Sequence, residues 1–213
     1  MQYYRSNNFP PVVKNLLIIN VLFFIANLAL GERFYINDEG PTILNVIFGL
    51  WPIQTPYFKP YQFFTHMFSH ASLGHIFFNM FGLWMFGKIL ENLWGSKRFL
   101  IFYIACGLGA AVAHLIVQYL TGSMAFAVGA SGAVMGIFIA FGYLFPNTEL
   151  YLMFIPIPLK AKYVMLGLVA LDLFGGFAQI SGDNIAHFAH LGGALTGFIM
   201  VLFWNKTNRK TLY

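Results

Sequence analysis

The sequence predicts an all-α membrane protein, a six-transmembrane-helix bundle with a long membrane-embedded outer loop between spans one and two. Of 213 residues 59% are hydrophobic and only 9% charged, against roughly 25% charged in an average soluble domain. About 126 apolar residues can supply six spans of ~20, the length that crosses a ~30 Å hydrocarbon core at ~1.5 Å per residue. Fewer than ~90 residues remain for loops and tails, so residues 1–213 read as a single transmembrane domain.

Long apolar runs bounded by charges or turn residues place spans near Leu16–Leu30, Leu73–Leu90, Phe99–Leu120, Met124–Phe145, Tyr163–Ile180 and Ile185–Trp204. No A-x-A cleavage pattern follows the first, which reads as a retained anchor. The segment from Gly31 to Ser72 holds Pro41, Pro52, Pro56 and Pro60 among many aromatics, including Trp51, Tyr57 and Phe63. It is too apolar for a solvated loop and too long to be structureless, so short interfacial helices are expected around Ile43–Trp51.

The formal charge is +5. No basic run interleaved with aromatics points to nucleic acid, and the placement of the charge follows the positive-inside rule instead. With a cytoplasmic N-terminus, Arg5, Lys14, Lys88, Lys97, Arg98, Lys160, Lys162, Lys206, Arg209 and Lys210 face the cytoplasm, leaving Arg33 and Lys59 outside. The one cysteine, Cys106, excludes an intrachain disulfide and reads as inert filler.

Polar side chains inside hydrocarbon are costly, so each is a functional candidate. Ser131 sits in Gly129-Ala130-Ser131-Gly132-Ala133-Val134-Met135-Gly136, a glycine-rich interruption of an apolar run. A helix from Ser131 to Phe145 would span ~22 Å, leaving the serine ~8 Å below the outer surface. His190 lies ~7–8 Å and Asn79 ~9 Å into their spans. Spans two, four and six enter from the same side, so the three residues share depth and leaflet.

Gly193 and Gly197 lie at i+3 and i+7 from His190, while span four has Gly132 and Gly136. Two such small-residue faces allow close backbone approach. Ser131 and His190 would then meet as nucleophile and general base. His75 and Asn79, at i and i+4 on one helix face, would donate to an oxyanion beside the Ser131 N–H. Asp183 lies ~10 Å along the helix from His190, and Asp172 lies in another span without motif context. A dyad is therefore the economical expectation.

Several histidines have simpler roles. His66, His70 and His75 invite a zinc site, but no His-Glu-x-x-His is present and no acidic residue lies between Glu39 and Glu91. No metal or cofactor is expected. His66 and His70 would tie the outer loop to backbone carbonyls, and His114 would pack in the core. His187 lacks the glycines that follow His190. Met135 would pack under the histidine.

The Gly129–Gly132 turn with Gly136, Ala189-His190 with Gly193 and Gly197, and His75-Ile76-Phe77-Phe78-Asn79, in that order within six spans, resemble the rhomboid intramembrane serine proteases. The resemblance covers nearly the whole chain. It implies Ser131 as nucleophile, His190 as base, and His75 and Asn79 as oxyanion donors. It also implies that Glu91 anchors the outer loop or neighbouring helices. Tyr61-Gln62 stands where many relatives carry Trp-Arg, and Met135 where many have an aromatic residue. The minimal six-span form implies a bacterial cytoplasmic membrane with both termini cytoplasmic. The activity implied is cleavage of transmembrane segments of membrane-protein substrates near the outer face, through an acyl-enzyme. Span five and the loop before span six would form the gate. The alternatives are a catalytically silent rhomboid-like escort protein and a transporter, the latter disfavoured by the apolar inner halves.

Overall fold

In hydrocarbon a chain must satisfy its own backbone groups, so apolar runs of sufficient length become helices. The computed structural model describes residues 9–30, 41–152, 155–178 and 187–207. The expected span ends at Ile180 and Ile185, the connection between them with Asp183, and Arg5, Arg33, Arg209 and Lys210 lie outside these residues.

Helix α1 (Pro11–Ala29) begins with a proline, whose missing N–H costs nothing in a first turn. Its next two N–H groups donate to a single side chain from elsewhere in the chain. Val12 N–H reaches Glu91 Oε1 at 2.9 Å and Val13 N–H reaches Oε2 at 2.8 Å. Ser96 Oγ–H adds a third hydrogen bond to Oε1 at 2.6 Å. The buried carboxylate thus caps a positive helix end. Glu91 anchors neighbouring helices, one of the two roles implied for it.

The segment after α1 is built as expected of an embedded loop. Helix α2 (Ile43–Phe48) is capped by Thr42, and α3 (Gln62–Thr65) runs into a 3₁₀ turn at His66–Phe68. A buried polar knot ties α2 to α1: Asn45 Oδ1 accepts from Asn27 Nδ2–H at 3.2 Å and from Ser69 Oγ–H, and Thr42 Oγ–H donates to Asn27 Oδ1 at 2.5 Å.

Span two is longer than its apolar run. Helix α4 (Leu73–Gly82) passes through a π-helical turn (Leu83–Gly87) into α5 (Lys88–Trp94), and Gly95 at φ +79° ends it. Helix α6 (Ser96–Thr121) is the central element, with Phe99, Phe102, Tyr103, Cys106 and Ala110 on its buried face. Helix α7 (Ser131–Leu144) starts at the serine, after the glycine turn, and not at Met124 where the fourth span is expected to begin, and its 14 residues make ~21 Å. Helices α8 (Ala161–Ala178) and α9 (His187–Thr207) complete the bundle.

Between α7 and α8 lies a feature that the sequence reading passed over, an antiparallel hairpin of β1 (Glu149–Leu152) and β2 (Ile155–Lys160). Pro156 and Pro158 alternate along β2, and a strand tolerates prolines only where it has a free edge. In a two-stranded ribbon every strand has one.

Four helices qualify as spans by length and composition: Pro11–Ala29, Leu73–Trp94, Ser96–Thr121 and His187–Asn205. Helix α7 is shorter, and α8 has 18 residues. The all-α membrane fold stands, while length and composition alone do not establish the count of six spans.

The starts of α1, α6 and α8 and the ends of α5, α7 and α9 share one face. Val12 meets Glu91, the Trp94 and Trp204 rings lie 5.4 Å apart, and Lys162 N–H donates to Pro146 O at 3.2 Å. That face carries Lys14, Lys88, Lys97, Arg98, Lys160 and Lys162. The 41–72 segment and the serine lie toward the other.

Candidate active site

The turn into α7 is held open by a glycine. Gly129 has φ +116°, which L side chains rarely adopt, and a Cβ there would sit 2.5 Å from His75 Nε2. Two residues later Ser131 starts the helix, where first-turn N–H groups lack intrahelical partners. The loop fixes this turn: Gly129 N–H donates to His66 O at 2.8 Å, and Leu50 and Ala127 exchange backbone hydrogen bonds of 2.8 and 2.9 Å. Trp51 stacks on Phe126 with centroids 4.8 Å apart.

The small-residue faces of α7 and α9 meet as their spacing predicts. A Cβ on Gly193 would lie 1.9 Å from Gly132 O, and one on Gly197 would lie 2.8 Å from Gly136 Cα. Nothing larger than hydrogen fits. Helix α6 joins the same seam, where a Cβ on Gly192 would lie 2.4 Å from Ala113 Cβ. A Cβ on Gly132 would fall 3.4 Å from Ala189 O. Ser131 precedes the first of these residues and His190 follows the second, so the seam brings the expected pair to one place.

His75 and Asn79 converge on the same turn from α4. The Asn79 amide nitrogen is 3.6 Å from the ideal Gly129 Cβ position, buried, and has no hydrogen-bond partner. An unsatisfied buried donor costs about 1–3 kcal/mol, and this one is aimed beside the serine. His75 and Asn79 therefore flank the 129–132 turn that carries Ser131, and Ala189, the neighbour of His190, approaches the same turn from α9.

Asp172 departs from expectation. Its Oδ1 lies 2.9 Å from His190 Nδ1 and 2.9 Å from His187 Nδ1. An ionised carboxylate only accepts, so both rings present Nδ1–H to it, and in the neutral form of His190 the lone pair is on Nε2. The expectation that no carboxylate meets the base is thereby corrected. Residue 172 lies eighteen positions from 190, on α8, so no helical period links them. The sequence did hold a usable sign: an aspartate in an apolar span followed by Gly175 and Gly176, where the His187 and Phe188 rings are seated. Asp172, His187 and His190 also form the one group of possible metal ligands among the described residues, with donor atoms within 4.8 Å of one another.

Supporting residues explain the site's rigidity. Gln62 is fully buried and makes four hydrogen bonds to backbone: it accepts from Trp51 N–H (3.3 Å) and Lys59 N–H (3.1 Å), and donates to Ile47 O (3.1 Å) and Tyr57 O (2.9 Å). A neutral amide thus staples the loop without an ion pair. His66 Nδ1–H donates to Gln62 O at 2.8 Å, and His70 Nδ1–H donates to Phe68 O at 3.4 Å. Both tie the loop to backbone carbonyls as expected. Burial pushes His66 down to about 4, and burial with His75 alongside pushes His70 down to about 3. His114 and Met135 are buried.

A helical membrane bundle in which a short, glycine-led helix packs its small-residue face on a neighbouring helix defines a class of polytopic membrane proteins. Comparison with known proteins gives the family. A rhomboid domain model matches residues 57–206, and the chain belongs to the rhomboid family. It is 32% identical over 145 residues to presenilin-associated rhomboid-like protein A, mitochondrial, of Danio rerio, covering 65% of this chain and 37% of that protein. It is 32% identical over 204 residues to RHOMBOID-like protein 12, mitochondrial, of Arabidopsis thaliana, covering 88% and 56%. It is 30% identical over 145 residues to rhomboid protein 1, mitochondrial, of Saccharomyces cerevisiae, covering 67% and 41%. The chain therefore spans between about a third and somewhat over half of these relatives' own lengths. The bacterial cytoplasmic membrane expected above is overturned, because the relatives are named as mitochondrial proteins.

Proposed function

We propose that this protein is a serine endopeptidase that cleaves transmembrane segments of membrane-protein substrates near the membrane face bearing the 41–72 segment. The observation that carries the proposal is the α7–α9 seam, which supports pairing of Ser131 with a histidine whose Nδ1 lies 2.9 Å from Asp172 Oδ1. His190 Nε2 takes the Ser131 proton as Oγ attacks the scissile carbonyl. The Ser131 N–H at the helix start, with His75 and Asn79, donates to the oxyanion. Collapse passes the proton from His190 to the leaving amine, and water, activated by the same Nε2, hydrolyses the acyl-enzyme. Asp172 is a positioning residue, since it touches the ring and not the substrate.

Helix α7 is ~9 Å shorter than the ~30 Å core, which supports a water-filled recess above Ser131. Helix α8 presents Tyr163, Leu166, Leu171 and Phe174 outward, and supports the role of gate through which a substrate helix enters sideways. The connection before α9, the other expected part of the gate, lies outside the described residues. Residues 1–213 are taken as one protease domain. The mitochondrial location in the relatives' names is proposed for this chain as well.

Cleavage of a reconstituted membrane substrate by wild type and Ser131→Ala tests the reading, and full activity in the variant sinks it. His190→Ala should abolish cleavage while His187→Ala leaves most of it. Labelling by a fluorophosphonate at Ser131 distinguishes a protease from a silent family member that binds and escorts membrane partners.

A further inference from the structure

The Asp172–His187–His190 cluster does more than the proposed hydrolysis needs. One histidine on Asp172 suffices to orient a base, yet two rings aim their Nδ1 atoms at the same carboxylate oxygen, each at 2.9 Å. Two imidazole nitrogens and a carboxylate oxygen are the donor set of an open zinc site, which keeps its fourth position for water. The two histidines stand at i and i+3 on α9 and the carboxylate comes from α8, so the ligands are held by two rigid elements. Their side chains retain 11–15% exposure, which leaves a path for a small ion.

We propose that Asp172, His187 and His190 form a divalent transition-metal site, taking Zn²⁺ best, that switches the serine–histidine site off. The inference rests on the protease reading above. The inhibitory step follows from proton placement. Without metal, Nδ1 of His190 bears the proton and Nε2 bears the lone pair that accepts from Ser131. A metal bound at Nδ1 needs a lone pair on that nitrogen, so the Nδ1 proton moves to Nε2, whose lone pair it takes up, and the ring stays neutral. The base then presents N–H where it must present a lone pair, and Ser131 keeps its proton. His187 undergoes the same tautomer change as it turns its Nδ1 lone pair to the metal. Zn–N distances of ~2.0–2.1 Å and Zn–O distances of ~2.0–2.2 Å require the donors to part slightly around the ion.

The test separates metal binding from catalysis. Co²⁺ is titrated into the full-length Ser131→Ala protein in detergent. The expected result is one Co²⁺ per chain with the visible absorption of a low-symmetry four-coordinate site, displaced by Zn²⁺, and lost in the Ser131→Ala/His187→Ala and Ser131→Ala/Asp172→Asn proteins. On the active enzyme, Zn²⁺ should inhibit cleavage reversibly to chelator. Measured against each variant's own metal-free rate, the inhibition constant for Zn²⁺ should rise at least ~10-fold in His187→Ala and His187→Gln, the scale on which metal-site substitutions act. Absent Co²⁺ binding, stimulation by Zn²⁺, or equal inhibition of wild type and His187 variants overturns the proposal. A wild type that binds Co²⁺ but cleaves nothing overturns the protease reading instead.

Discussion

Asp172 and His190 are joined across α8 and α9 by a 2.9 Å hydrogen bond to the ring's Nδ1. The contact fixes which nitrogen of the base is free. It also links the proposed gate helix to the proposed base, so displacement of α8 and the reactivity of His190 are not independent. Motion that widens the α8–α9 seam near Asp172 would release the ring.

Asp172→Asn is expected to lower kcat by on the order of 10²–10⁴ with little change in KM, because the amide can hold the ring in the wrong tautomer while leaving substrate contacts untouched. Asp172→Glu should recover part of the loss. Steady-state kinetics on a reconstituted substrate check this, and a kcat within twofold of wild type in Asp172→Asn would remove Asp172 from the mechanism.

Gly129→Ala is expected to abolish cleavage, since the new methyl group would collide with His75 at a φ of +116°. Gly193→Ala should also fail, by separating α9 from α7. Gly167→Ala is the control: no atom lies within 4 Å of its Cβ position, and a mid-helix alanine gains up to ~1 kcal/mol. Thermal unfolding beside activity distinguishes local collision from global loss.

The parts of this architecture that depend on local pattern were legible. Hydropathy placed α1, α6 and α9 within a few residues of their ends. The glycines at 132, 136, 193 and 197 predicted the α7–α9 seam because small residues matter at fixed helical spacing. The glycine-rich interruption around Ser131 marked a place where a helix could start. What escaped depends on contacts between segments with no shared period. Asp172 is meaningful only once α8 packs on α9. Gln62, lacking charge, gave no sign of the four backbone groups it ties together. The β1–β2 ribbon escaped because Pro156 and Pro158 argue against a strand unless it has a free edge.

Glu91→Gln should destabilise the protein by about 1–3 kcal/mol while leaving the activity per folded molecule near wild type. The amide has one acceptor oxygen where α1 and Ser96 need two, and it brings an N–H₂ up against either the Val12 or the Val13 N–H. Differential scanning of detergent-solubilised protein should show a lower Tm. A loss of kcat without a fall in Tm would contradict a purely anchoring role.

Gln62→Leu should cost about 2–4 kcal/mol, since four backbone groups of the embedded loop lose their partner together. Gln62→Glu keeps the acceptor and loses the two donors, and should fall between wild type and leucine. Because the loop holds Gly129 through His66, activity should fall with loop order. Proteolytic nicking within 49–62 that rises in step with the activity loss would show the connection.

Acid should weaken the fold before it protonates most carboxylates. His66 titrates at about 4 and His70 at about 3 in the folded protein, both held down first by burial, against 6.5 for an exposed ring. Folded pKa values below the unfolded one mean that the unfolded chain binds more protons in between. The free energy of unfolding is therefore at its full value above pH ~6.5 and declines as pH falls toward about 4. Tm of the Ser131→Ala protein, followed from pH 7.5 to 4.5, should drop steadily once below 6.5. The His66→Gln/His70→Gln double variant, which keeps a polar group at each position without a titrating ring, should start lower but show a shallower slope over the same range. A slope equal to that of its parent would assign the acid sensitivity to other groups.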